Sequence, residues 1–151
     1  MSANYQVLDV VPHGLPMSLL DAIEAWSQHS ITAIVTIRRD SMFCESAGVP
    51  AWVGVEYMGQ AIAAWAGIQA REAGNPVKIG FLVSARRYET GRSHFPVGAQ
   101  LKICATQVTD NISGLGVFEC QIEYDGEMIT AKLNVFMPDD VDQFLSEGNH
   151  D

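Results

Sequence analysis

A chain of 151 residues, 48% of them apolar, has the length of one domain and enough apolar surface for a core, which excludes disorder along its whole length. A net charge of −9 with only 9 Lys and Arg excludes nucleic acid as the main partner, because phosphate binding needs clustered cations. Cys44, Cys104 and Cys120 form no C-x-x-C pair, so neither a disulfide frame nor a zinc motif follows; the opening MSANYQVLDV lacks the basic start and apolar run of a signal peptide, and a cytoplasmic location is expected.

From the N-terminus, Pro16 to Trp26 reads as a short helix, because Met17, Leu20, Ile23 and Ala25 or Trp26 recur near helical spacing. Ser30 to Arg39 (SITAIVTIRR) is rich in β-branched residues and sets Ile31, Ala33, Val35 and Ile37 on one face, which predicts a strand. Asp40 to Val49 has no period and reads as a loop. Pro50 to Ala73 is too long for a strand; Pro50 suits a first helical turn, and Gly74 followed by Pro76 marks an end. Its apolar length raises a membrane span, against which Glu56, Gln60 and the glycines argue. A helix apolar on all sides is normally a buried one.

Three or four strand signals follow, at Lys78–Tyr88, Ala99–Thr109, Val117–Tyr124 and Glu127–Met137. Asp125-Gly126 is a tight hairpin turn between the last two, and Asn111 to Gly114 is a looser turn. The order predicts an α+β domain over residues 1–137, with an antiparallel meander curled around one apolar helix rather than alternating βαβ units. Residues 138–151 carry Asp139, Asp140, Asp142, Glu147 and Asp151 with no Lys or Arg, and read as a solvated acidic tail.

Glu56 is the only charged side chain between Ala47 and Ala70. An unpaired buried carboxylate costs several kcal/mol, so a buried Glu56 must be paired, hydrated or protonated, and the protonated form suits a general acid. Gln60, one turn on, is placed to hydrogen-bond it. The plain alternative is a surface Glu on an imperfect helix face. The N–H groups of Ala51 and Trp52 have no partner within the helix and, with the helix dipole, could polarise a carbonyl. His13, between two prolines in VPHGLPM, reads either as a base near a pocket or as a local cap. His94, in SHFPVG, reads as a turn before a strand. No Ser-His-Asp set, phosphate loop, dinucleotide fingerprint or metal-ligand spacing is present.

Val11 to Asp21 reads V-P-H-G-L-P-M-S-L-L-D, and Val49 to Gln60 reads V-P-A-W-V-G-V-E-Y-M-G-Q. These stretches resemble the L-P-H-R-Y-P-F-L-L-V-D opening and the M-P-G-V-L-I-I-E-A-M-A-Q helix start of the bacterial 3-hydroxyacyl-ACP dehydratases of fatty-acid synthesis. F-P-V-G-A-Q-L, from Phe95 to Leu101, is similar to the P-x-G-x-x-L turn that follows the helix in that family. The resemblance runs over most of residues 11–137. It looks nearest to the aryl-polyene-type (ApeP-like) group, where A-W-V-G-x-E-Y-M-x-Q and R-x-Y followed by F-P-V-G recur.

The resemblance implies a hotdog fold and a homodimer with sites at the subunit interface. It implies removal of water from a 3-hydroxyacyl thioester carried on the phosphopantetheine of acyl carrier protein, with no metal or cofactor. The family's catalytic Glu falls on Glu56, and the oxyanion-binding Gly of its helix start falls on Ala51, whose N–H would still serve; Trp52 and Gln60, read from the residues above, are the further expected substrate-binding positions. One departure stands out: the family's catalytic His, in G-H-F-P-G before the helix, falls on Met42 within D-S-M-F-C-E. The H-F-P at His94 follows the helix instead, so His13 is the expected substitute. Arg86, Arg87 and Arg92 form a basic patch expected either to dock an acidic carrier or to pair with Glu89 or Glu72 and cover the sheet with their stems. Two alternatives stay open: a hotdog thioesterase, in which Glu56 activates water and Gln60 orients it, and a non-catalytic acyl-carrier-binding subunit, which the absence of a His at Met42 favours.

Overall fold

Apolar and polar residues alternate along most of the second half of the chain, and the strands there turn one side to a core and the other to solvent. The structure, a computed structural model, describes residues 19–75, 81–112 and 115–136. Its strands are β1 (Ala22–Trp26), β2 (Ser30–Thr36), β3 (Val49–Pro50), β4 (Phe81–Arg86), β5 (His94–Phe95), β6 (Gln100–Ile112), β7 (Leu115–Tyr124) and β8 (Glu127–Phe136). A 3₁₀ turn, Ala51–Val53, runs into the long helix α1, Gly54–Glu72. Six strands form one antiparallel sheet in the order β1-β2-β6-β7-β8-β4, and β3 pairs with β5 in a separate two-stranded ribbon.

Ile31, Ala33 and Val35 of β2 are buried, as their alternation predicts, and the alternating sets of β6, β7 and β8 continue that surface. Against it lies the face of α1 formed by Tyr57, Met58, Ala61, Ile62, Trp65 and Ile68. Trp65 meets Phe118 of β7 edge to face, with ring centroids 5.4 Å apart. Each fully buried Ile, Leu or Phe here contributes about 1.5–3 kcal/mol relative to exposure. The helix ends where Gly74 predicts. Gly74 takes φ +76°, its N–H donates to the Arg71 carbonyl, and the Asn75 N–H donates to the Ala70 carbonyl. The Asp125-Gly126 turn also forms as expected, with φ +51° and +77°, the conformation of a two-residue hairpin loop.

The helix expected from Pro16 to Trp26 is not the observed structure over its described part: Ala22–Trp26 is strand β1, paired antiparallel with β2. The register slips between Ile23 and Ala25. A bulge there lets Ile23 and Trp26, three residues apart, both turn to the core, which imitates helical spacing. The helix α1 is also not buried all round. Glu56, Gly59, Gln60 and Ala63 make a half-covered stripe along its other side. The loop expected from Asp40 to Val49 stands as far as Gly48, with a bridge between Glu45 and Gly48, while Val49 opens strand β3.

Candidate active site

The start of α1 is assembled from three separate stretches of chain. Pro50 ends β3 and pairs with His94 of β5, so the ribbon delivers the first helical turn at a fixed place. The Ala51 N–H, expected to be a free oxyanion donor, donates instead to the Ser93 carbonyl at 2.9 Å. Its orphan position within the helix has been filled from the residue before β5, which removes it as a donor to substrate. The next donor, the Trp52 N–H, lies in the first turn, where no earlier helical carbonyl can reach it. The Trp52 side chain is 59% exposed and meets Phe43 edge to face at 5.4 Å. Phe43 takes φ +68°, and its neighbour Met42 is 45% exposed. Met42 therefore lies beside an aromatic lip at the helix start.

Glu56 sits in the first turn of α1, where the helix dipole favours a negative charge. It is half-buried and makes no hydrogen bond or ion pair with a described residue. Gln60, one turn further along the same stripe, accepts the Leu19 backbone N–H through Oε1 at 2.8 Å. That side chain thus fastens the chain entering β1 to the helix. His13 lies outside the described residues. Among the described residues no group of three His, Cys, Asp or Glu could hold a metal ion, and no helix is long and apolar enough to cross a membrane.

One histidine is better placed than its motif suggests. His94 Nε2 meets Glu45 Oε1 at 2.8 Å, and its Nδ1 meets Ser93 Oγ at 3.0 Å. With Nε2 carrying the proton toward Glu45, Nδ1 keeps its lone pair, and the Ser93 hydroxyl donates to it. Its position after the helix in sequence makes His94 look remote, whereas the β3–β5 ribbon sets it across from Pro50.

The family profile described as ApeP dehydratase matches residues 5–146. The chain belongs to the ApeP-like dehydratase family. A chain of the dehydratase heterocomplex ApeI:P from Xenorhabdus doucetiae superposes with a TM-score of 0.86 at 27% identity, over 96% of this chain and 98% of that one. The TT0310 protein of Thermus thermophilus gives 0.56 at 11% identity, over 77% of this chain and 89% of that one. A variant of the phenylacetic acid degradation protein PaaI from the same organism gives 0.55 at 12%, covering 77% and 90%. These last two share the fold, an antiparallel sheet around one central helix, which is the hotdog fold. No curated protein sequence matches.

In this ApeP-like dehydratase the three arginines differ. Arg92 Nε donates to Glu127 Oε1 at 2.8 Å, and its guanidinium lies 4.8 Å from the centre of the Tyr124 ring. Arg92 is thus built into the β7–β8 hairpin. Arg86 and Arg87 are exposed and make no ion pair among the described residues. Arg86 pairs in register with Lys132 of β8, and Arg87 and Lys132 line one open cavity of about 240 Å³ with Gln121 and Thr130. In register Lys132 stands between Arg86 and Glu119 of β7, and Glu119 lines the same cavity, so its wall carries both signs of charge.

Proposed function

We propose that this dehydratase removes water from a 3-hydroxyacyl thioester carried on the phosphopantetheine arm of acyl carrier protein, in fatty-acid-like, aryl polyene or polyketide synthesis. The observation that carries the reading is Glu56: a half-covered carboxylate with no partner among the described residues, in the first turn of the central helix, inside a family match spanning residues 5–146. A base takes the proton from C2, beside the thioester carbonyl. An acid protonates the C3 hydroxyl as the C3–O bond breaks, water leaves, and the C2=C3 bond of the enoyl product forms. Glu56 and His13 make the acid–base pair. The Trp52 N–H holds the thioester oxygen as charge develops on it, and Gln60 fixes the neighbouring chain. The reaction is redox-neutral, and this acid–base scheme needs no metal or cofactor.

The half-covered stripe of Glu56, Gly59, Gln60 and Ala63 suits closure by a second subunit. A homodimer serves, and so does a heteromer like the complex in which the ApeI:P chain was solved. A second reading, a non-catalytic carrier-binding partner, is favoured by Met42 where the fatty-acid dehydratases that the sequence resembles carry their base. Incubation with a 3-hydroxyacyl carrier thioester, followed by mass spectrometry, separates the two. Enoyl product supports the enzyme; unchanged substrate, with or without a second hotdog subunit, supports the partner; free acid marks a thioesterase instead.

A further inference from the structure

The peptide unit joining Ala51 to Trp52 is held from both sides. The Ala51 N–H, just before it, donates to the Ser93 carbonyl at 2.9 Å. Its own carbonyl oxygen accepts the Tyr88 hydroxyl at 2.6 Å and also the Gly54 N–H. Tyr88 approaches directly over Gly54. A methyl group at that position would run into the Tyr88 hydroxyl and stand 2.9 Å from Ile122 Cδ1, so the approach requires a glycine. Burial pushes the Tyr88 hydroxyl up to about 12, and its proton is retained for donation at neutral pH.

A trans peptide is planar, and its C=O and N–H point in opposite directions. Fixing the Ala51 carbonyl therefore fixes the direction of the Trp52 N–H. A hydrogen bond received by the carbonyl also polarises the amide and strengthens its N–H as a donor. We infer that Tyr88 is a positioning residue for the dehydration, gripping the Ala51 carbonyl so that the Trp52 N–H is aimed at the thioester oxygen. This rests on the reaction assigned above. It also gives a role to the R-x-Y stretch ending at Tyr88: the tyrosine holds the carbonyl of the first turn, while Ser93, just before H-F-P-V-G, holds its first N–H.

Tyr88→Phe keeps the ring and removes the grip. The variant is expected to lower kcat about tenfold on a 3-hydroxyacyl carrier thioester, the loss of one well-made hydrogen bond. KM and melting temperature should stay near wild type. In ¹⁵N-labelled protein the Trp52 amide resonance should move, with the resonances of residues in the body of α1 unchanged. Unaltered turnover in the variant of an active wild-type protein would overturn the assignment, as would an unmoved Trp52 resonance. Loss of kcat accompanied by a raised KM and a lowered melting temperature would make Tyr88 a structural residue and also overturn it. An inactive wild-type protein would instead refute the dehydration reading on which the inference depends.

Discussion

Leu19 donates its backbone N–H to the side-chain carbonyl of Gln60 at 2.8 Å, on the helix stripe that carries Glu56 one turn away. Leu19 is thereby fastened one helical turn from the candidate acid. His13 is six residues upstream of Leu19, a stretch of chain that spans at most about 20 Å. Replacing His13 by Ala should lower kcat by about 10²–10⁴-fold, more than it raises KM, as removal of a positioned base does. His94→Ala should be mild. Steady-state kinetics of the two variants decide between them; a silent His13→Ala with an inactive His94→Ala would transfer the base to the Glu45–His94 pair.

Carrier docking should depend on Arg86 and Arg87, which face solvent, and much less on Arg92, which is committed to Glu127. Reversing Arg86 and Arg87 to Glu is expected to raise KM for a carrier-bound substrate, most strongly at low salt, where exposed charges are least screened. Activity on a small soluble thioester should be retained. Equal loss on both substrates would place these arginines in the fold or the chemistry.

Hydrogen bonds from Arg92 and then Thr90 hold the Glu127 carboxyl below its ordinary ionisation range. A lowered folded value means that the stabilisation is complete above the unfolded value near about 4.3 and is lost as pH falls through the folded one. Glu127→Gln should therefore cost no more than about 1 kcal/mol of stability at pH 7 for so exposed a pair, seen as a slightly lower melting temperature. In thermal melts the gap between variant and wild type should narrow as the pH falls below the unfolded value and vanish below the lowered folded one. A gap that widens in acid would contradict this.

The strands and the helix are legible because alternation and length are local signals. Ile31, Ala33 and Val35 point inward as their spacing requires, and Gly74 stops α1 as its freedom at positive φ allows. β1 reads as a helix because a bulge gives Ile23 and Trp26 a helix-like interval. The site is only partly legible, for a different reason. Glu56 announces itself by isolation in an apolar run, but the partner of the Ala51 N–H is Ser93, far along the chain, and no local pattern reports that pairing. His94 looks remote for the same reason: what brings it to the helix start is the pairing of Val49 with Phe95 and Pro50 with His94. Tyr88 does carry a signal, the R-x-Y stretch, without any indication of what the tyrosine touches.

The most direct test is the fate of a 3-hydroxyacyl carrier thioester given to wild-type protein and to Glu56→Gln, followed by mass spectrometry. Gln preserves size and hydrogen bonding but cannot exchange a proton as a carboxyl does. Wild-type protein should convert the substrate to the enoyl thioester with loss of one water. Glu56→Gln, with an unchanged melting temperature, should be slower by about 10²–10⁴-fold. A Glu56→Gln variant that dehydrates at the wild-type rate would contradict the account.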